Sequence, residues 1–74
     1  MNRQDAKVAN IFANGEAKKI SLPCSLVHFL EAQQLRPQNV VVERNGQALT
    51  HSEFADVQLA EGDRLEIVRV VAGG

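Results

Sequence analysis

Only one stretch of this chain spaces its apolar residues for a helix, and the segments around it are spaced for strands. From Ser25 to Leu35 the helical positions are Leu26, Phe29 and Leu30, with 33 a weaker fourth, which is the spacing of a single amphipathic stripe. Ser25 stands where an N-cap belongs. Pro37 disfavours helical backbone at Arg36 before it, so the pattern predicts about three turns and a stop. A lone helix with one apolar stripe has no second helix to bury it against. It needs a sheet.

The flanking segments supply that sheet. Val8 to Ala13 leads into Asn14-Gly15, and Glu16 to Leu22 follows with Ile20 and Leu22 at period two, until Pro23 stops the run. Asn-Gly accepts the positive φ angles of a type I′ turn, whose twist matches its strands, so this reads as a β-hairpin. After the helix, Val40 to Arg44 is a short β-branched strand closed by Asn45-Gly46, with Gln47 to Leu49 as a brief return. Thr50 to Phe54 reads as a capped helical turn, with Phe54 and Val57 as core candidates. Glu61-Gly62-Asp63 is a tight turn, and Arg64 to Val71 is the last strand. The order ββαβ(β)β predicts an α+β domain, a mixed four- to five-stranded sheet with the helix on one face. The first and last strands are expected to run parallel at its centre, the arrangement of the β-grasp, or ubiquitin-like, roll. Residues 1–7 read as a flexible polar arm, 8–71 as the domain and 72–74 as a flexible tail.

Size and charge exclude several functions. Seventy-four residues make one small domain, and a chain of that length buries only about 60–65% of its unfolded surface. A catalytic pocket of a few hundred Å³ is hard to enclose in such a core, which favours a carrier, a binding module or a subunit over a self-sufficient enzyme. Eight Lys and Arg against nine Asp and Glu leave a formal charge of −1, with no cationic excess to neutralise a nucleic-acid backbone. The single cysteine, Cys24, excludes an internal disulfide, and His28 and His51 show no metal-ligand spacing. No apolar run approaches the roughly 18 residues of a membrane span. Without a secretory-type apolar leader, the expected compartment is the cytosol.

The chemistry concentrates at the C-terminal end. Leu65 and Ile67 alternate with Glu66, yet the next position of that parity is Arg69, while Val68, Val70 and Val71 are apolar. Inward alternation is therefore expected to break near Arg69, and the chain to leave the sheet carrying exposed valines, a cost unless something covers them. Val70, Val71, Ala72 and Gly73 then form a slender lead to Gly74 that could thread a narrow channel in a partner enzyme. A carboxylate is a poor electrophile, so a reaction at Gly74 requires activation, most simply by attack on ATP to give an acyl-adenylate and pyrophosphate. A sulfur nucleophile would then give a thiocarboxylate, an amine an amide. Two glycines also end many disordered tails, so Gly-Gly alone is weak.

The strand-turn Val40 to Gly46 (VVVERNG), the end Glu61 to Gly74 (EGDRLEIVRVVAGG) and the hairpin Ala13 to Glu16 (ANGE) resemble the ThiS family, the sulfur carriers of thiamine biosynthesis. The likeness covers residues 8–74. It implies a β-grasp fold, adenylation of the terminal glycine by an E1-like ThiF enzyme that uses ATP, and a thiocarboxylate whose sulfur comes from a cysteine desulfurase. Thiazole synthase, ThiG, would receive that sulfur. On this chain Gly74 would bear the thiocarboxylate, with no cofactor or metal of its own. The polar arm is longer than is usual in the family, and Thr50-His51 replaces a common Pro-Arg; both bear on partner detail rather than on the reacting end. Two other readings share the Gly-Gly end, the small subunit of molybdopterin synthase and a ubiquitin-like protein modifier.

Strand parity also divides the sheet. With Ile11, Val42, Leu65 and Ile67 toward the helix, the residues Phe12, Val41, Glu43, Glu66 and Val68 face away. That mixed apolar and acidic surface is the expected docking face for the activating enzyme, with partner cations opposite Glu43 and Glu66; the plain alternative is ordinary surface. Cys24, just before the helix, reads as a small apolar filler rather than an activated thiol. Lys18 and Lys19 read as a solvated pair, and neither histidine carries a motif.

Overall fold

The computed structural model describes residues 7–70. Its elements are β1 (Lys7–Ala13), β2 (Glu16–Leu22), α1 (Leu26–Ala32), a 3-10 turn (Pro37–Asn39), β3 (Val40–Arg44), β4 (Gln47–Ala48), α2 (His51–Phe54) and β5 (Arg64–Arg69). The five strands form one sheet in the order β2-β1-β5-β3-β4. β1 and β5 pair in parallel, and the remaining neighbours are antiparallel. This is the α+β, β-grasp arrangement expected from the order of elements.

Both Asn-Gly pairs turn as the sequence predicts. Asn14 and Gly15 have φ of 51° and 82°, and Asn45 and Gly46 have 53° and 83°, the doubly positive pattern of a type I′ turn. β1 begins one residue earlier than expected, since Lys7 pairs with Leu22. The rest of the polar arm, residues 1–6, lies outside the described residues.

Ser25 caps α1 as predicted, its hydroxyl oxygen accepting the His28 N–H at 3.0 Å. The helix is shorter than its sequence pattern. It ends at Ala32, and Gln33 is an exposed cap rather than a fourth apolar position. Gln34 turns left-handed at φ 63°. Its N–H donates to Glu31 O at 2.9 Å, and the Leu35 N–H donates to Leu30 O at 2.9 Å. That pair of bonds is a Schellman closure, which satisfies the last carbonyls two residues before Pro37 could act.

The helix stripe of Leu26, Phe29 and Leu30 packs on one face of the sheet together with Ile11, Val40, Val42 and Leu65. Phe54 and Val57 close the same core, as expected. α2 is held to β3 by His51, whose Nε2 lies 2.9 Å from Val40 O, and its ring tilts against Phe54 with centroids 4.9 Å apart. This histidine therefore has a structural task.

Candidate functional site

β5 is the strand that leads to the C-terminus, and the residues that hold it define the site. At its entry stands Asp63, the one buried charged side chain among the described residues. Its carboxylate accepts the Ala60 N–H at 2.9 Å, Asn45 Nδ2 at 3.1 Å and Arg44 Nε at 3.1 Å. A second Arg44 nitrogen lies 3.1 Å away. Burial alone would raise this carboxyl, but the hydrogen bonds from Asn45, Ala60 and Arg44 and the Arg44 charge outweigh it and hold Asp63 below the usual carboxylate range. The turn before β5 is thereby fixed to the β3–β4 turn.

Along its β1 side β5 has little backbone support. Only Phe12↔Arg64 and Ala13↔Leu65 pair before β1 turns away. There the Asn14 side chain takes over the ladder: Ile67 N–H donates to Asn14 Oδ1 at 2.7 Å, and Asn14 Nδ2 donates to Ile67 O at 3.1 Å. One amide side chain thus serves as both donor and acceptor, as a further strand residue would. Asn45 does the same work at the other turn, accepting the Arg64 N–H at 2.9 Å while it donates to Asp63.

On the β3 side pairing continues to Val40↔Arg69. Beyond it the Val70 N–H donates to Asn39 O at 2.7 Å. The strand ends at Arg69 rather than at Val71 as the sequence suggested, because β3 starts at Val40 and offers no further partner. Val70 is half-exposed. Val71, Ala72, Gly73 and Gly74 lie outside the described residues.

The sheet parity read from the sequence holds. Ile11, Val42 and Leu65 are buried and Ile67 is half-buried. On the outer face Val41 and Val68 are directly opposite one another and are 45% and 61% exposed. Glu43 and Glu66 form the next pair, two carboxylates face to face across neighbouring strands, an arrangement that costs stability unless a cation intervenes. Phe12 departs from expectation. It is half-buried rather than exposed, since the Arg64 guanidinium lies 4.9 Å from its ring centroid. Inward burial stops at Arg69 as the sequence suggested, with Val68 and Val70 exposed beside it. Arg69 keeps the helix side, but α1 has ended and the side chain lines an open cleft with Leu35 and Arg36.

Cys24 is buried, and burial pushes its thiol pKa up, which agrees with the filler reading. Lys18 and Lys19 are not an equivalent solvated pair: Lys18 is half-buried and 3.5 Å from Glu16, while Lys19 is exposed. Among the described residues, no group of three or more His, Cys, Asp or Glu is placed to hold a metal ion, and no helix is long and apolar enough to cross a membrane. The sequence reading missed Asp63 and the side-chain roles of Asn14 and Asn45. The available signal was the repeated Asn-Gly, which marks the turns but not what their side chains reach.

The family model described as the ThiS family matches residues 5–74. The chain belongs to the ThiS family. At the family level it is a small sulfur carrier of thiamine biosynthesis. The crystal structure of the thiamine biosynthesis protein ThiS from Geobacter metallireducens superposes with a TM-score of 0.74 at 25% identity, over 88% of this chain and 99% of that one. The solution structure of a thiamine biosynthesis protein from the same organism gives 0.72 at 25% identity, over 88% and 87%. A thiazole synthase from Paramagnetospirillum magneticum is 34% identical over 61 residues, which are 82% of this chain but only 19% of that protein. The uncharacterized protein ycf40 of Pyropia yezoensis is 34% identical over 65 residues, 88% of this chain and 92% of its own.

Proposed function

We propose that this chain carries sulfur as a thiocarboxylate on Gly74. A carboxylate oxygen of Gly74 attacks the α-phosphorus of ATP in an E1-like ThiF enzyme, expelling pyrophosphate and leaving an acyl-adenylate. A persulfide supplied through a cysteine desulfurase then displaces AMP to form an acyl disulfide, and a thiol reductant cleaves its S–S bond to leave the thiocarboxylate. The thiocarboxylate passes its sulfur to thiazole synthase, ThiG. The chain is the substrate of these enzymes and performs no catalysis itself.

The observation that carries this reading is that the family match runs through Gly73 and Gly74, while β5 brings the chain to Val70 at the sheet's end. Gly73 and Gly74 lack a Cβ, so a channel that admits them need be only as wide as the backbone. ThiG as the receiver is supported by the thiazole synthase, a longer protein in which a stretch resembles this chain. For docking, Val41 and Val68 give the outer face an apolar centre, and the Glu43–Glu66 pair gives it a place for partner cations. Phe12 contributes its remaining exposed edge.

The test is adenylation with a bulky end. Wild-type chain with ATP and the ThiF-type enzyme should release pyrophosphate in proportion to the carrier added. Gly74→Phe should fold normally and release none. Undiminished pyrophosphate release from Gly74→Phe would contradict the reading.

A further inference from the structure

Two guanidinium groups near the end of β5 have no anionic partner among the described residues. Arg36, from the loop after α1, and Arg69, the last residue of β5, line one open cleft of about 490 Å³ with Leu35, Asn39 and Val70. Neither arginine forms an ion pair with any described residue; the pairs present are Lys18–Glu16 and Arg44–Asp63. Both are exposed, so nothing in the core requires them. The placement of Arg69 is itself unusual, because strand parity gives that position to the core side, where Leu65 is buried and Ile67 half-buried. The cleft exists because α1 closes at Gln34 and leaves that side of β5 uncovered.

Opposite charge sits across the sheet. Glu43 and Glu66 lie on the outer face, and Arg36 and Arg69 lie on the helix side, where Val70 lines the same cleft. We propose that the Arg36–Arg69 cleft is a docking site for acidic side chains on the rim of the partner's tail channel, so that the carrier enters in one rotational orientation. The inference rests on the reading that the tail threads an enzyme. A partner with cations facing Glu43 and Glu66 and carboxylates facing Arg36 and Arg69 is complementary in one orientation, and a half-turn about the tail would set like charges together, which opposes binding.

A protein rim is favoured over the phosphates of a nucleotide by reach. The four residues from Val71 to Gly74, fully extended, place the reacting carbonyl up to about 14 Å beyond the cleft. The nucleotide is held at that far end, and the channel mouth meets the cleft. Arginine suits the task, since its planar fork pairs with carboxylates in a fixed geometry.

The experiment is calorimetric binding of the full chain to its ThiF-type enzyme across a salt series, with the double variants Arg36→Glu/Arg69→Glu and Arg36→Lys/Arg69→Lys. Thermal melts establish that each variant folds like wild type. Charge reversal should weaken binding about tenfold or more at low salt, and the difference should shrink as salt is raised. The lysine variant should bind within a few-fold of wild type. Sulfur loading of the reversed variant at saturating enzyme should still proceed, which separates this inference from the carrier reading: failure of wild type to load defeats the carrier reading instead. Wild-type affinity in the reversed variant at every salt concentration overturns the proposal. So does tight binding of inorganic pyrophosphate to Arg36 and Arg69, read by resonance shifts, with enzyme affinity unchanged on reversal.

Discussion

Replacing Asp63 with Ala should unfasten the entry to β5. The carboxylate removed is 5% exposed and accepts from Ala60, Asn45 and Arg44 at 2.9, 3.1 and 3.1 Å. Hydrogen bonds to a charged group are each worth about 1.5–3 kcal/mol. Arg44 retains 30% side-chain exposure, so water screens its share and can solvate it once the partner is gone. The expected loss is about 2–3 kcal/mol, a large fraction of the roughly 4–11 kcal/mol available to a domain of this size. The melting temperature should fall by about 10–20 °C. The sign of the pH dependence follows from the depressed carboxyl. The unfolded chain takes up a proton near pH 4, whereas folded Asp63 does so only at lower pH. Its contribution is full above the unfolded pKa and is lost as pH falls through the folded one. Urea unfolding followed by circular dichroism should therefore show a wide gap between wild type and Asp63→Ala at pH 7 that narrows under acid. A gap below about 0.5 kcal/mol at pH 7, or one that widens as pH falls, would refute the reasoning.

Three further outcomes test the site and its frame. Asn14→Gly keeps the left-handed turn without strain but deletes both bonds to Ile67, so amide exchange at Ile67 should quicken and stability fall by about 1 kcal/mol; unchanged exchange at Ile67 would show that the side chain does not extend the ladder. Gln34→Gly should raise stability by about 0.5–1 kcal/mol in urea unfolding, because the Schellman position prefers glycine. Reversing Glu43 and Glu66 to Lys should weaken association with the activating enzyme and invert its salt dependence, as measured by association kinetics, whereas unaltered kinetics would remove the outer face from the docking surface. None of these residues carries the reacting carboxylate, so sulfur loading at saturating enzyme should persist in all three.

The local signals in the chain translated into structure where a residue acts on its neighbours. The Asn-Gly turns, the Ser25 cap and the alternation of Val41, Val42 and Glu43 are short-range facts, and the fold keeps them. The parallel pairing of β1 with β5 followed from the order of elements. What escaped were features decided by distant contacts. Asn14 and Ile67 are 53 positions apart, and no spacing rule connects them. The helix end was misjudged because the Schellman closure uses Gln34 in place of the glycine that normally marks it. The break in inward burial at Arg69 was legible, but its cause, that the core itself has run out there, was not. The exposed face of the candidate site was legible from alternation, and the basic cleft beside it was not.

Intact-mass measurement of the chain after incubation with ATP, cysteine, a thiol reductant, a cysteine desulfurase and the ThiF-type enzyme tests the central claim most directly. The account predicts a mass increase equal to the exchange of one oxygen for one sulfur, mapped by fragmentation to Gly74 and lost on transfer to thiazole synthase. An unchanged mass under conditions that load a known ThiS protein, or an amide bond to a target lysine in place of the thiocarboxylate, would contradict it.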